Sequence, residues 1–155
     1  MAETKTVVIG RGSAGDAARL KEIAVAAKAH WGYGEDRVRA WAEVGGFTTE
    51  SLGALELFVA VAEGRIVAWA SVKLEETTAW LEDLWVEPGW IGRGLGSRLF
   101  REAVAHARAG GATAIEWEAE PNAIGFYEKL GGRHVRDGTS EWGRTLPIMR
   151  AELDA

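Results

Sequence analysis

The amino-acid sequence predicts an α/β domain built around a mixed sheet. Segments with apolar residues at helical spacing alternate with short β-branched or apolar runs, and the clearest amphipathic helix stands between two such runs. This order of elements is typical of strands and helices packed in layers around one core. The length of 155 residues, with 47% hydrophobic residues, suits a single domain, which we expect to cover residues 1–155.

The first half of the chain predicts one strand, two helices and a hairpin. In order, the predicted elements are a strand at 5–9, helices at about 15–30 and 35–44, and strands at 55–62 and 65–74. The last two strands flank Glu63-Gly64, a pair typical of a β-hairpin turn.

The second half predicts strands that alternate with helices. In order, these elements are a strand at 78–86, a helix at about 93–109, a strand at 112–118, a helix at about 122–130, and strands at 134–136 and 147–153. Pro88 and Gly89 end the first of these strands, and Gly110-Gly111 ends the long helix.

Composition excludes several classes of function. The chain has no cysteine, which excludes disulfides, thiolate zinc sites and a cysteine nucleophile. Its net charge of −5 disfavours a generic nucleic-acid binder and allows a cationic substrate. The start of the chain lacks a signal-peptide pattern and no apolar run is long enough to span a membrane, so we expect a cytoplasmic protein without a membrane partner.

Two glycine-rich segments each follow a predicted strand and precede a predicted helix. The first, at 10–15, reads Gly-Arg-Gly-Ser-Ala-Gly and formally matches the dinucleotide-binding fingerprint. That fingerprint requires a second apolar strand after the helix, whereas a second helical segment follows here. We therefore interpret the first segment as a flexible strand-to-helix turn.

The second glycine-rich segment, at 86–96, reads Val-Glu-Pro-Gly-Trp-Ile-Gly-Arg-Gly-Leu-Gly and leads into the clearest helix. Its alternating glycines allow the backbone to pass close to a ligand, and N–H groups at a helix start bind phosphate oxygens. Arg93 and Arg98 add positive charge nearby. A Walker loop is excluded because no Gly-Lys-Ser/Thr follows, and a plain glycine-rich turn is the alternative interpretation.

This second segment resembles the Q/R-x-x-G-x-G/A signature of the GCN5-related N-acetyltransferase (GNAT) superfamily, with Ile91 where the family has Gln or Arg. A further segment, at 120–131, reads Glu-Pro-Asn-Ala-Ile-Gly-Phe-Tyr-Glu-Lys-Leu-Gly and resembles the family's N-x-x-A-x-x-F-Y-x-x-x-G block. The resemblance covers about 80–149, and the rest of the chain matches in element order. It implies a mostly antiparallel sheet with splayed central strands and flanking helices, with acetyl-CoA in the gap between the splayed strands.

The resemblance also implies where acetyl-CoA is bound. Backbone groups at the end of the strand at 78–86 would bind the pantetheine arm, and N–H groups of 92–96 would bind the pyrophosphate. Asn122 would reach the pantetheine arm, and Tyr127 would lie near the thioester sulfur. The full set of implied cofactor contacts is Leu84, Trp85, Val86, Ile91, Gly92, Arg93, Gly94, Leu95, Gly96, Ser97, Asn122 and Tyr127.

Acetyl transfer requires a base for the amine proton and an acid for the departing thiolate. Without a cysteine or a G-x-S-x-G elbow, direct attack by the amine in a ternary complex is the economical mechanism. Tyr127 is the predicted acid, with a core aromatic role as its alternative. Glu82 is the favoured base, with a surface carboxylate as its alternative. It lies in 81–86, which resembles a stretch of polyamine acetyltransferases where acidic residues bind the substrate and draw off its proton through water.

Candidate acceptor contacts come from three segments. Asp83 follows the favoured base on one predicted strand, so the two side chains point to opposite faces. Glu116 and Glu118 share one face of the next strand. They could bind a cationic amine, although charges that protect an edge strand explain them equally well. Trp31 and Tyr33 precede the second helix, where GNAT enzymes usually shape the acceptor site.

Together these features predict an acetyl-CoA-dependent N-acetyltransferase that acts on a primary amine of a small molecule. Two alternatives stay open: a catalytically silent domain that binds acyl-CoA, and a protein or peptide N-acetyltransferase. No metal is predicted, since His134 shows no ligand partner in the sequence. A homodimer is expected only by analogy with the family, and the sequence does not identify the acceptor amine.

Overall fold

A computed structural model describes residues 6–139 and 142–153. The strands within these ranges are β1 (Val7–Arg11), β2 (Glu56–Ala62), β3 (Arg65–Glu75), β4 (Thr78–Val86), β5 (Ala114–Glu118), β6 (Arg133–Thr139) and β7 (Thr145–Glu152). The helices are α1 (Ala17–Ala29), α2 (Glu35–Val44), α3 (Thr49–Gly53), α4 (Leu95–Ala109) and α5 (Ile124–Lys129). Short 3₁₀ turns at Ala14–Asp16, Pro88–Trp90 and Pro121–Ala123 lead towards α1, α4 and α5.

The strands form a seven-stranded sheet in the order β1-β2-β3-β4-β5-β7-β6. The pairs β1–β2, β5–β7 and β6–β7 are antiparallel, and β4 is parallel to β5. The predicted mixed, mostly antiparallel sheet with flanking helices is therefore confirmed. Glu116 is paired with Trp80 of β4 on one side and with Arg150 of β7 on the other, so the interpretation of Glu116 as an edge-strand charge is wrong. The pairing with β4 ends at Glu116, and Glu118 is paired with Ile148 of β7.

The hairpin between β2 and β3 forms where the sequence predicts it. Glu63 has a φ of 53° and Gly64 a φ of 75°, so both central residues of the turn are left-handed. Two such residues make a type I′ turn, whose twist matches that of the flanking strands. The first predicted strand is also present, although Lys5, where its prediction begins, lies outside the described residues.

Helix α3 is an element that the sequence analysis did not predict. Thr48 caps it, since the Thr48 Oγ1 accepts a hydrogen bond of 3.1 Å from the Ser51 N–H. Leu52 is its buried residue. A five-residue helix has too few turns to show helical periodicity, so the capping threonine was its available signal.

The first glycine-rich segment forms a capped turn. The Ser13 Oγ accepts a hydrogen bond of 3.1 Å from the Gly15 N–H, and the Asp16 carboxylate accepts one of 3.2 Å from the Ser13 N–H. This reciprocal pair is a capping box at the start of the 3₁₀ turn. A Cβ at Gly12 would lie 2.9 Å from the Val59 Cγ1, so close packing requires that glycine. These contacts agree with a strand-to-helix turn and account for the motif without a nucleotide.

The chain folds as two compact units. The first unit runs to Ser71 and includes Asp83–Glu102, and the second contains Val72–Glu82 and the chain from Ala103. In the first unit, α1 buries Leu20 and Ile23 against Trp69, whose indole N–H donates a hydrogen bond of 2.9 Å to the Leu20 carbonyl. This buried bond satisfies the polar group of a fully enclosed tryptophan.

The second unit has a core of its own at β5, β7 and α5. Trp117 of β5 is paired in register with Met149 of β7, and both side chains are almost completely buried. Tyr127 of α5 packs against Trp117, with 4.9 Å between the ring centroids. In the same unit β4 pairs with β5 through Thr78–Ala114, Ala79–Ile115 and Trp80–Glu116.

Candidate functional site

The second glycine-rich segment forms an exposed loop that leads directly into α4. We call residues 87–94 the glycine loop. After the turn Pro88–Trp90, Ile91 is extended, and Gly92 and Gly94 have φ values of 85° and 78°. Residues with a Cβ rarely adopt this left-handed conformation. A Cβ built at Gly92 or Gly94 meets no atom within 4 Å, so the backbone conformation, and not close packing, requires these glycines.

The end of the glycine loop is also the start of a helix. The Gly94 carbonyl accepts the first α4 hydrogen bond, 3.1 Å from the Arg98 N–H. The N–H groups of the first helical turn, at Leu95, Gly96 and Ser97, belong to the set that a helix leaves without intrahelical partners. The positive end of a helix dipole, preceded by left-handed residues, is an arrangement that favours an anion. The side chain of Leu95, the first residue of α4, is buried.

The two arginines near the glycine loop have different surroundings. The Arg93 guanidinium lies over the Trp90 ring, 4.7 Å from its centroid, within the loop itself. The Arg98 guanidinium instead donates a hydrogen bond of 3.1 Å to the Val7 carbonyl of β1. Stacking holds a guanidinium in place without using its donors, so Arg93 is the arginine better placed to contact phosphate oxygens.

Ile91 occupies the position where the sequence departs from the family signature. Its side chain is 45% exposed and its backbone is extended. An exposed side chain is expected where the backbone of the residue, and not its side chain, contributes to the loop. The predicted pantetheine contacts Leu84, Trp85 and Val86 are half-buried at the end of β4, where the strand passes into the glycine loop.

Asp83 is held by two hydrogen bonds within the first unit. The Ser71 Oγ donates to one carboxylate oxygen at 2.6 Å, and the Trp85 indole N–H donates to the other at 2.9 Å. Burial raises the pKa of the Asp83 carboxyl, and the two hydrogen bonds partly oppose that rise. The direction of the Asp83 side chain is therefore fixed, and burial disfavours its charged form.

The predicted acceptor contacts Trp31 and Tyr33 lie in the turn between α1 and α2. Trp31 is exposed and packs edge-on against His30, whereas Tyr33 is half-buried. The Lys28 ammonium lies 5.9 Å from the Tyr33 ring centroid and 4.2 Å from that of Trp41. Lys28 is buried, with 7% of its surface exposed, which is rare for a lysine.

The sequence analysis did not predict the cluster that Lys28 forms with Tyr33 and Trp41. Lys28 follows Leu20 and Ala24 at steps of four residues, so it falls on the apolar face of α1. A lysine at such a position was the available signal. Trp41 in turn packs edge-on against Trp85, with 5.5 Å between the ring centroids, and thereby connects the cluster to the Asp83 hydrogen bonds.

Tyr127 is buried in the second unit on α5. Its ring packs against Trp117 and Phe126, at 4.9 Å and 5.0 Å between the centroids. Burial raises the pKa of the Tyr127 phenol above its ordinary value, so the phenol is a weaker acid here than in water. The hydroxyl is protonated at neutral pH, as in an ordinary tyrosine, and the aromatic packing fixes the direction of the ring.

Asn122 lies just before α5 and is exposed. Its side-chain amide donates a hydrogen bond of 3.0 Å to the Glu120 carboxylate. The other oxygen of that carboxylate lies 3.3 Å from the Arg144 guanidinium. Asn122 is therefore oriented through Glu120, and its amide oxygen remains as an acceptor for another group.

The remaining candidate carboxylates of the second unit differ in exposure. Glu116 is buried and its two oxygens pair with Arg136 and Arg150, each at 2.6 Å. The Arg136 hydrogen bond, with a smaller contribution from Arg150, lowers the pKa of Glu116. Glu116 is therefore engaged in ion pairs, whereas Glu118 and Glu82 are exposed on their strands.

Across 6–139 and 142–153, no group of three or more His, Asp and Glu side chains is placed to bind a metal ion. None of the helices in that part of the chain is long and apolar enough to cross a membrane.

Comparison with known sequences gives one family match and one curated relative. The model of the Acetyltransferase (GNAT) family matches residues 18–132. Over 77 residues the chain is 37% identical to glucosamine 6-phosphate N-acetyltransferase 1 of Oryza sativa subsp. japonica. That alignment covers 45% of this chain and 47% of the relative, so the match spans about half the length of either protein.

Solved structures of other proteins resemble this protein over nearly its whole chain. The PaiA N-acetyltransferase of Thermoplasma acidophilum, solved with coenzyme A, has a TM-score of 0.79 at 19% identity and covers 95% of this chain and 99% of its own. A GCN5-related N-acetyltransferase structure from Rhodopseudomonas palustris has a TM-score of 0.82 at 23% identity and covers 98% and 99%. At these identities the likeness establishes a shared fold.

Proposed function

Because the chain belongs to the acetyltransferase (GNAT) family, we propose that it transfers an acetyl group from acetyl-CoA to a primary amine of a small molecule, with residues 1–155 acting as one acetyltransferase domain. In this reaction the amine nitrogen bonds to the acetyl carbon and loses a proton. The carbon–sulfur bond breaks, and the sulfur gains a proton. Acetyl-CoA would supply the acetyl group already activated as a thioester.

The glycine loop is the single observation on which the proposal most depends. Its left-handed Gly92 and Gly94 lead into the first turn of α4, and the space where their side chains would lie is open. N–H groups from 92–96 would bind the pyrophosphate, and Arg93, stacked on Trp90, would add a cation beside it. Leu84, Trp85 and Val86 would offer the pantetheine arm their backbone groups, as strand edges do for extended ligands.

Tyr127 is the proposed general acid. Its phenol carries a proton at neutral pH, as tyrosine ordinarily does, and would donate it to the departing sulfur as negative charge develops there. Asn122, oriented by Glu120, would accept a hydrogen bond from an amide N–H of the pantetheine arm. Both residues belong to the second unit, and the packing of Tyr127 on Trp117 fixes the ring of the acid.

Glu82 is the proposed general base, and Asp83 a proposed contact for the cationic acceptor. Glu82 is exposed, so it can pass the amine proton to water. Asp83 is fixed by Ser71 and Trp85, and an ammonium beside it would relieve the cost of its buried charge. Further proposed acceptor contacts are Trp31, Tyr33 and Glu118.

A small-molecule acceptor is favoured by the curated relative, whose name specifies an amino sugar phosphate. Because that match spans less than half of each protein, it supports the class of acceptor and not its identity. The amine attacks directly in this proposal, since the chain has no cysteine to carry an acetyl group.

The test is turnover of acetyl-CoA, followed by release of its free thiol, with panels of amino sugars, polyamines, amino acids and N-terminal peptides. We expect turnover of at least one small amine, and a loss of kcat/KM in Glu82→Gln that Glu50→Gln, an exposed control on α3, does not show. Turnover of peptides alone would contradict the small-molecule acceptor. Binding of coenzyme A without turnover of any panel member would favour a catalytically silent domain.

A further inference from the structure

We infer that Arg19 and Glu87 form a clamp that fixes the start of the glycine loop, which makes Arg19 a positioning residue for coenzyme A. The inference rests on the proposed function, since it assigns the role of a residue outside the loop to cofactor binding. Arg19 lies on α1, whereas Glu87 follows β4, 68 residues later in the chain. Both belong to the first unit.

Glu87 makes hydrogen bonds through its N–H, its carbonyl and its carboxylate. Its N–H donates a hydrogen bond of 2.9 Å to the Val67 carbonyl of β3, and its own carbonyl accepts one of 2.8 Å from the Trp90 N–H. Its carboxylate accepts from the guanidinium groups of Arg19 and Arg65, both at 3.1 Å. The residue that opens the glycine loop is therefore fixed to α1, to β3 and to the turn that follows.

Arg19 is itself held in one geometry. Two of its nitrogens donate to the Ile66 carbonyl, at 3.0 Å and 2.8 Å, and a third donates to Glu22 at 2.6 Å. The planar guanidinium reaches a backbone carbonyl and two carboxylates from three nitrogens held in a fixed fork, whereas a lysine ammonium donates from a single nitrogen. Arg19 therefore joins the β3 backbone to Glu87 as a rigid connection.

The two arginines that reach Glu87 differ in exposure. The side chains of Arg19 and Glu87 are 20% and 21% exposed, whereas that of Arg65 is 61% exposed. Water and salt screen the outer pair more strongly, so the inner pair should carry most of the constraint. Arg19 also compensates the negative charge of Glu87, which would otherwise repel an anionic ligand from the loop.

The experiment is titration of the full chain with coenzyme A, combined with steady-state kinetics on acetyl-CoA. The variants are Arg19→Met, Arg19→Lys and Glu87→Gln, and the control is Glu22→Gln, which removes the exposed partner of Arg19. We expect the coenzyme A Kd to rise about tenfold in Arg19→Met and nearly as much in Arg19→Lys, a factor equal to about 1.4 kcal/mol. KM for acetyl-CoA should rise in parallel while kcat stays within about twofold, the pattern expected for loss of uniform binding.

Arg19→Lys keeps the positive charge and removes the guanidinium, whereas Arg19→Met removes both, so the pair separates the effect of positioning from that of charge. If Arg19→Lys binds coenzyme A as tightly as the wild type, the guanidinium geometry is irrelevant and the inference is overturned. A fall in kcat with unchanged KM also overturns it. Should Arg19→Met not fold, Arg19→Lys preserves the test, because it keeps the positive charge and a side chain of similar length. Failure of the wild type to bind coenzyme A would overturn the proposed function together with this inference, whereas wild-type binding with unaltered variants would overturn this inference alone.

Discussion

Replacing Gly94 or Gly92 by alanine should reduce coenzyme A affinity more than it reduces stability. Both residues are left-handed, and a Cβ at either position meets no protein atom within 4 Å. The cost in the absence of ligand is therefore conformational, about 1–2 kcal/mol for an alanine forced into this region. For a chain of this length that corresponds to a fall in Tm of about 2–8 °C, since each 1 kcal/mol shifts Tm by about 2–4 °C.

The effect on binding adds a second contribution. Open space beside the loop is where the pyrophosphate would lie, so the added methyl group would contact the ligand. Relaxation of the loop to negative φ would turn its N–H groups away. Loss of one hydrogen bond to a charged group costs about 1.5–3 kcal/mol, which is more than a tenfold rise in Kd.

Gly64 provides a matched control for both glycines. It is left-handed, with a φ of 75°, and a Cβ there also meets nothing within 4 Å. Gly64→Ala should therefore lower Tm by a similar amount and leave coenzyme A binding unchanged. The measurements are thermal unfolding and calorimetric titration of the three variants. Equal affinities for Gly94→Ala, Gly64→Ala and the wild type would refute the reasoning, because the loop backbone would then not contact the cofactor.

Three further predictions concern single side chains. Tyr127→Phe should lower kcat about 10²–10⁴-fold, the usual contribution of a general acid, without changing coenzyme A affinity in a titration, and unchanged kcat contradicts the acid role. Glu116→Gln should lower the free energy of unfolding in urea by about 2 kcal/mol at pH 7. Since Arg136 and Arg150 lower the pKa of Glu116, this loss should fade as the pH falls below about 4.3, and an equal loss in acid contradicts the ion-pair account. Burial raises the pKa of Asp83, so the free energy of unfolding of the wild type, relative to that of Asp83→Asn, should fall as the pH rises from about 3.9. If urea unfolding shows that this difference is constant or rises with pH, the burial of the Asp83 charge is contradicted.

Local signals in the sequence were sufficient for much of the fold. The turn at Glu63-Gly64 and the helix at α4 depend on residues close together in the chain, and both were predicted within a few residues of their observed bounds. The glycine loop was found for the same reason, since its glycines, its strand and its helix are contiguous. Helix α3 was missed because five residues carry no periodicity beyond the cap at Thr48.

Contacts between distant segments could not be predicted from these patterns. Glu116 meets Arg150 because β5 and β7 pair in a register that places the two residues opposite each other, 34 positions apart in the chain. The ion-pair partners of Glu116 therefore could not be predicted without the strand order. Arg19 and Glu87 meet in the same way, through the packing of α1 beside the end of β4. Periodicity identifies which face of an element is apolar, but not which charged residue lies opposite.

Calorimetric titration of the wild-type chain with acetyl-CoA tests the central claim most directly, with dephospho-CoA and NAD as reference ligands. We predict micromolar binding that is selective for coenzyme A over NAD. The glycine loop and the start of α4 would bind the pyrophosphate that both ligands carry, whereas the end of β4 would bind the pantetheine arm that NAD lacks. Absence of coenzyme A binding would contradict the account. The GNAT fold would then remain without its cofactor site, and Ile91 would be the first position to revert towards the family signature.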